Sequence, residues 1–287
     1  MAGSEPDRHP DSMSPAGRGA QPASAAQASA GRLIALTRPV SETMAACELT
    51  HLEREPIDIA RARAQHAEYV RALAEVGCHV IEVAAADHLP DAVFVEDTAL
   101  VLDEVAIVTR PGAATRRAET AAVAGELTRH RTVVQMPGPA ALDGGDVLRI
   151  GRTLYVGTSG RTSDDGVAWL RETVAPLGYR VAAVRPTGCL HLKTAVTAIA
   201  PDLLLINTQW VDPSCFDGMR TLEIARDEPF AANALLIGER VIYPAAFEQT
   251  ARLLREAGID VLGVDVSELA KAEGGVTCCS IVFDVAS

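Results

Sequence analysis

One hairpin recurs along this chain, and that recurrence constrains the fold more than any other feature. Two short apolar runs flank a tight turn at 96–101 and 105–109 across Asp103-Glu104, and again at 146–150 and 153–156 across Gly151-Arg152. The pattern returns at 194–199 and 203–207 across Pro201-Asp202, and at 233–237 and 240–243 across Gly238-Glu239. The turn residues are those that reverse a strand on itself. Three of these hairpins lead into a helical pattern and a further strand: 116–127 then 132–134, 166–177 then 180–184, and 247–257 then 261–264. At the other end, a strand at 32–37 precedes a helical stretch over 56–77, with Ile59, Ala62, Tyr69, Val70 and Leu73 on one face and Gly77 as its stop. A strand at 78–83 follows, and the final apolar run after Cys278 completes a fifth unit by pairing with the opening strand. Units repeating at roughly 40 to 50 residues cannot bury their own faces and stack around an axis. An ordinary mixed α/β sandwich whose hairpins look alike is the competing arrangement.

Composition narrows the partners. Hydrophobic residues make up 48% of the 287 positions but aromatics only 4%, so the core is built from Val, Leu, Ile and Ala. A formal charge of −12 with scattered basic residues argues against nucleic acid or an anionic membrane as partner. No apolar run approaches the roughly 18 residues of a membrane span. Residues 1–30, rich in Ala, Ser, Pro, Gly and Gln, read as a disordered tail and not as a signal peptide, which leaves 31–287 as a single domain. The six cysteines show no framework spacing and no C-x-x-C pair, the pattern of reduced thiols in a cytoplasm without structural zinc. Neither H-E-x-x-H nor a Gly-rich phosphate loop is present. A homo-oligomer is compatible with all of this.

Chemistry collects at the repeat entrances. Immediately before the first strand of successive units stand Glu96-Asp97, Asp143-Gly144-Gly145-Asp146, His191-Leu192-Lys193, Asn233, and Cys278. Equivalent positions of rotationally related units share one end of the axis, so these groups would converge on one pocket. A thiol to attack, an imidazole to move protons and a carboxylate to hold the imidazole are the parts of nucleophilic catalysis. Taken singly each is ordinary. A buried Cys is usually a small hydrophobe, a lone His a core or surface residue, and Asp-Gly a turn. Two acids entering a buried strand are harder to dismiss, because they need partners.

Seven motifs in order carry a resemblance: F-V-E-D-T-A (94–99), T-R-P-G-A-x-x-R-R (109–117), L-D-G-G-D-V (142–147), R-T (161–162), L-H-L-K (190–193), A-A-N (231–233) and G-G-V-T-C-C-S (274–280). Together, over about residues 32–284, they resemble the dimethylarginine dimethylaminohydrolase family of the guanidine-modifying superfamily. The resemblance implies an α/β fold, a five-bladed pseudo-symmetric α/β propeller of ββαβ units. It implies Cys278 as nucleophile with Cys279 a packed neighbour, His191 as general acid/base, and Asp143 as the acid that orients it. By the same matching, Glu96 and Asp97 hold the guanidinium, Asp91, Arg116 and Arg161 anchor the amino-acid end, and Leu49 lies in a mobile lid. The implied reaction converts Nω-methylated L-arginine to L-citrulline and a methylamine. It has a small-molecule substrate and needs no metal or organic cofactor. Arginine deiminase, amidinotransferase and a catalytically silent arginine-binding module are the alternatives. The first two families are usually longer, and a binder has no use for a nucleophile.

Overall fold

Strand pairing follows the turn chemistry throughout the computed structural model, which describes residues 1–3 and 33–285. The tail expected over 1–30 lies, from residue 4 onward, outside the described residues. β1 (Leu33–Thr37) pairs in parallel with β2 (Cys78–Glu82), the two being joined through helix α1 (Ile59–Glu75). The helix starts where Asp58 accepts the Arg61 N–H at 3.0 Å and stops before Gly77, which takes φ 99°. β3 (Ala99–Val101) and β4 (Val105–Val108) form an antiparallel hairpin, and α2 (Thr120–Leu127) crosses to β5 (Thr132–Gln135), parallel to β4. The same order repeats in β6 (Val147–Ile150), β7 (Thr153–Gly157), α3 (Asp164–Val174) and β8 (Arg180–Val184). A single turn, α4 (Leu192–Ala195), leads into β9 (Val196–Ala200), β10 (Leu203–Ile206) and β11 (Arg220–Glu223). Next come β12 (Leu235–Ile237), β13 (Arg240–Pro244), α5 (Glu248–Glu256) and β14 (Asp260–Val264). After the short α6 (Ser267–Ala270), β15 (Ile281–Asp284) returns antiparallel to β1.

The result is five separate three-stranded sheets, each an antiparallel pair extended by a parallel strand. This is the five-bladed α/β propeller, and the sandwich alternative is excluded. β3, β6, β9, β12 and β15 face the axis around a channel of about 450 Å³. Apolar clusters fill the wedges between blades; Ile34, Leu36, Val95, Ala106, Val123 and Ile281, for example, join the first-and-last blade to its neighbour. No helix among the described residues is long and apolar enough to cross a membrane.

Three local details refine the sequence expectation. The helix expected over 116–127 begins as a 3-10 run, Ala114–Glu119, and becomes α-helical only at Thr120. Its three-residue repeat eclipses Arg116 and Glu119, both buried and ion-paired at 2.8 Å. The third blade, the hairpin for which no helical pattern was read, indeed has no crossover α-helix, but a loop with one 3-10 turn (Pro213–Cys215) reaches an unexpected, mostly exposed edge strand, β11, which has too few apolar residues to be read as a strand. Finally, Cys278 and Cys279 sit in a turn just ahead of β15, not in the strand itself.

Candidate active site

Short helical turns, not the strands, present the chemistry. Val95–Thr98, Gly144–Asp146 and α4 are each a single turn placed before the inner strand of a blade, and the 276–279 turn does the same before β15. Each turn aims side chains at the end of the axis where the blades meet. Gly145 permits a close approach: a Cβ there would stand 2.6 Å from His191 Nδ1 and 2.8 Å from Asp97 Oδ1.

His191 is 4% exposed, and its Nε2 lies 3.0 Å from Asp143 Oδ2 while Nδ1 lies 3.9 Å from Asp97 Oδ1. Asp143 is fully buried and held from the other side by the Gly112 N–H at 2.8 Å. Burial works against a charged imidazole, but Asp97, the bond to Asp143 and nearby Asp146 outweigh it and raise His191 to about 9. His191 is therefore an imidazolium at neutral pH. Asp97 is buried too; burial favours its neutral form, yet His191 and Arg116 hold it down to about 2.

Cys278 is half-buried, and its Sγ accepts the Gly275 N–H at 3.3 Å. Burial and then the charges of Glu96 and Asp97 push the thiol up to about 12. Without a ligand it is a neutral thiol. Its carbonyl accepts the Glu96 N–H at 3.1 Å, which ties the thiol-bearing turn to the acidic one. Glu96 Oε1 receives Lys193 Nζ at 2.5 Å, and Oε2 receives the Thr277 hydroxyl at 2.8 Å. Asn233 completes the set, donating to the Lys193 carbonyl and the Thr277 hydroxyl and accepting the Thr277 N–H. Sequence reading left Lys193 and Thr277 without a role, although a lysine directly after a buried imidazole motif was a usable signal. Asp146 proves architectural: its carboxylate gathers Ser159, Thr162 and the Leu192 N–H, fixing the loop that carries His191.

Asp91, Asp97, Arg116, Arg161, His191 and Cys278 all line one cavity, together with Glu48. Glu96 lies behind it at the channel end. Arg116 is already committed: it pairs with Asp97 at 2.6 Å and Glu119 at 2.8 Å and donates to the Phe94 carbonyl. Asp91 accepts the Glu48 N–H, and Arg161 reaches the Thr50 hydroxyl at 3.2 Å. The Leu49 side chain is not among the lining groups; it packs against the apolar cluster containing Phe94 and Val276. The cavity measures only about 10 Å³, space for roughly one water. A second, apolar chamber of about 190 Å³ shares Cys278, Leu190, Glu273 and Gly274 with it and is roofed by His51 and Leu52. Asp97, Asp143 and His191 offer ligand atoms within 4.8 Å of one another, the spacing of a metal site. Those atoms are already engaged as an acid–imidazole network that also takes in Arg116.

A neutral thiol among buried carboxylates suits a cationic, carbon-centred electrophile, and on a five-bladed α/β propeller that combination marks the guanidine-modifying class. Comparison with known proteins narrows it. The family described as "N,N dimethylarginine dimethylhydrolase, eukaryotic" matches residues 42–214. The N(G),N(G)-dimethylarginine dimethylaminohydrolase of Streptomyces coelicolor is 44% identical over 249 residues, 86% of this chain and 95% of its own. The structure of a cysteine-to-serine variant of the Pseudomonas aeruginosa dimethylarginine dimethylaminohydrolase, complexed with citrulline, superposes with a TM-score of 0.83 at 32% identity, covering 87% of this chain and 98% of that one. The N-terminal domain of ArgZ, an arginine dihydrolase of cyanobacteria, shares the fold at 21% identity, TM-score 0.78, over 87% and 97% of the two chains. The chain belongs to the dimethylarginine dimethylaminohydrolase family.

Proposed function

We propose that this protein hydrolyses Nω-methylated L-arginine to L-citrulline and a methylamine through a covalent intermediate on Cys278. The observation that carries the proposal is the convergence on one cavity of Cys278, His191 bonded to Asp143, and the acid Asp97. A guanidinium carbon resists attack because its charge is spread over three nitrogens, so it must be held and its leaving group protonated. Asp97, with Glu96 behind it, fixes the cation, which takes over the place at Asp97 now filled by Arg116. Its positive charge offsets the two carboxylates that keep Cys278 protonated, and the thiol gives up its proton to water as the substrate docks.

Sγ then adds to the carbon. His191 donates a proton to the methylated nitrogen, the C–N bond breaks, and methylamine leaves a thiouronium on Cys278. Nδ1 is the ring nitrogen not engaged by Asp143, and so the one free to exchange that proton. The neutral imidazole next takes a proton from water as hydroxide adds to the same carbon. Collapse forms the carbonyl and breaks the C–S bond, the hydroxyl proton passing to the departing sulfur, which restores the Cys278 thiol and releases citrulline. Arg161, with Arg116 once freed, receives the substrate carboxylate by bidentate pairing, and Asp91 receives its amino group. Leu49 belongs to the segment that covers them.

Parallel assays of citrulline release from dimethylarginine and from arginine test the substrate. Faster release from arginine would transfer the protein to the deiminase reaction. Cys278→Ser is expected to abolish turnover and Cys279→Ser to retain most of it, with acid-trapped adduct mapping to Cys278 alone. Equal loss in the two variants removes Cys278 from its role.

A further inference from the structure

Glu273 is the one non-glycine residue among the described residues with a left-handed backbone, φ 59°. It occupies the position after α6 where the chain turns back on the helix: its N–H bonds the Ala270 carbonyl, and the next N–H, of Gly274, bonds Leu269. Glycine is the residue that position prefers, since a Cβ there crowds the backbone. A strained non-glycine residue directly before two glycines calls for a compensation that only its side chain can supply.

That compensation is visible. The Glu273 carboxylate accepts the N–H groups of three consecutive residues far away in sequence, Thr50 at 3.0 Å, His51 at 2.5 Å and Leu52 at 2.7 Å. These residues belong to the segment covering the site: Glu48 lines the catalytic cavity, and His51 and Leu52 roof the adjoining apolar chamber. With the segment down, the catalytic cavity of about 10 Å³ is far too small for an amino acid, so the segment must lift to admit one. Two carboxylates hold it. Asp91 binds the Glu48 N–H, but Asp91 is also the group proposed to meet the substrate's amino end. Glu273 has no such competing duty.

We infer that Glu273 is a positioning residue, a latch that fastens the 48–52 segment to the loop carrying Cys278 and so couples closure of the site to the geometry of the thiol. Glu273 stands five residues before Cys278, and Gly275 between them donates the N–H that reaches Sγ. Closing the segment thus anchors the first residue of the run that orients the nucleophile. The kinetic form of this inference rests on the proposed substrate; its structural form does not.

Glu273→Gly separates the latch from the fold, because glycine removes the carboxylate while suiting the left-handed backbone. Glu273→Gln keeps one acceptor oxygen. In the glycine variant, loss of charge-assisted bonds is expected to raise KM for dimethylarginine about tenfold with kcat within about threefold, and to speed amide exchange at Thr50, His51 and Leu52 about tenfold. The glutamine variant should fall between it and the unaltered protein on both measures. A glycine variant with unchanged KM and unchanged exchange overturns the latch. So does a collapse of kcat with exchange unchanged, which would place Glu273 in the chemistry instead. If the unaltered protein releases no citrulline from dimethylarginine, the substrate proposal fails, and the exchange measurement decides the latch alone.

Discussion

At His191 the balance of burial against three carboxylates decides both charge and stability. Its folded value of about 9 lies above the ordinary imidazole value, so the folded state binds the proton more tightly than the unfolded chain does. The resulting stabilisation is complete below about pH 6.5, is lost as pH rises through about 9, and is on the order of 3 kcal/mol. Turnover should fall over the same upper limb, because in the proposed mechanism the departing amine takes its proton from the imidazolium. In Asp143→Asn the limb should move to lower pH by about one unit. A kcat–pH profile with an unmoved limb would remove Asp143 from this role. Cys278, His191 and Asp143 could be picked out in the sequence because residue type and placement at a repeat entrance agree. Thr277 and Glu273 could not, since they act through partners 181 and more than 220 residues away.

Among the elements, α1 shows how a helix can be legible and still hide a liability. Its glycine stop and its apolar face were readable, and the structure agrees within about three residues. His66, on the buried face, was not readable as a problem. It is 4% exposed, its Nε2 has no partner in the structure, and burial lowers it to about 4. Here the sign is opposite to that at His191: the unfolded chain takes the proton first. The stability His66 allows is present above about pH 6.5 and drains away as pH falls toward 4. His66→Leu should therefore gain about 2 kcal/mol more over the unaltered protein at pH 5 than at pH 8. Denaturant titrations at the two pH values check this, and equal gains would contradict it. The 3-10 start before α2 and the edge strand β11 of the third blade escaped sequence reading for a related reason. Both are set by what the chain packs against, not by its own periodicity.

For the molecule as a whole, closure is the decisive step. The blade formed by β1 and β2 is finished only when β15 pairs Ile281 with Leu36 and Asp284 with Leu33, so the two ends of the described chain meet in one sheet. Without that strand, β1 would expose an unpaired edge to the solvent and to other chains. Deleting residues 281–287 should abolish cooperative unfolding. A circular permutant that joins residue 285 to residue 33 and opens the exposed turn at 201–202 should fold and keep its activity. Circular dichroism with citrulline release reads both outcomes, and a folded truncation would show that ring closure is dispensable.

The sequence by itself determined the repeat, the order of strands and helices, and the residue types gathered at the blade entrances. These are local facts, written in turn chemistry and in periods of two and 3.6 residues. Tertiary structure alone decided that Arg116 sits on Asp97, that the thiol of Cys278 is held neutral, that Lys193, Asn233 and Thr277 brace Glu96, and that Glu273 spans to the covering segment. Each of these depends on distance and burial between groups from different blades. A charge taken out of water is governed by whichever neighbour lies within a few ångströms, and ring closure, not sequence proximity, chooses that neighbour.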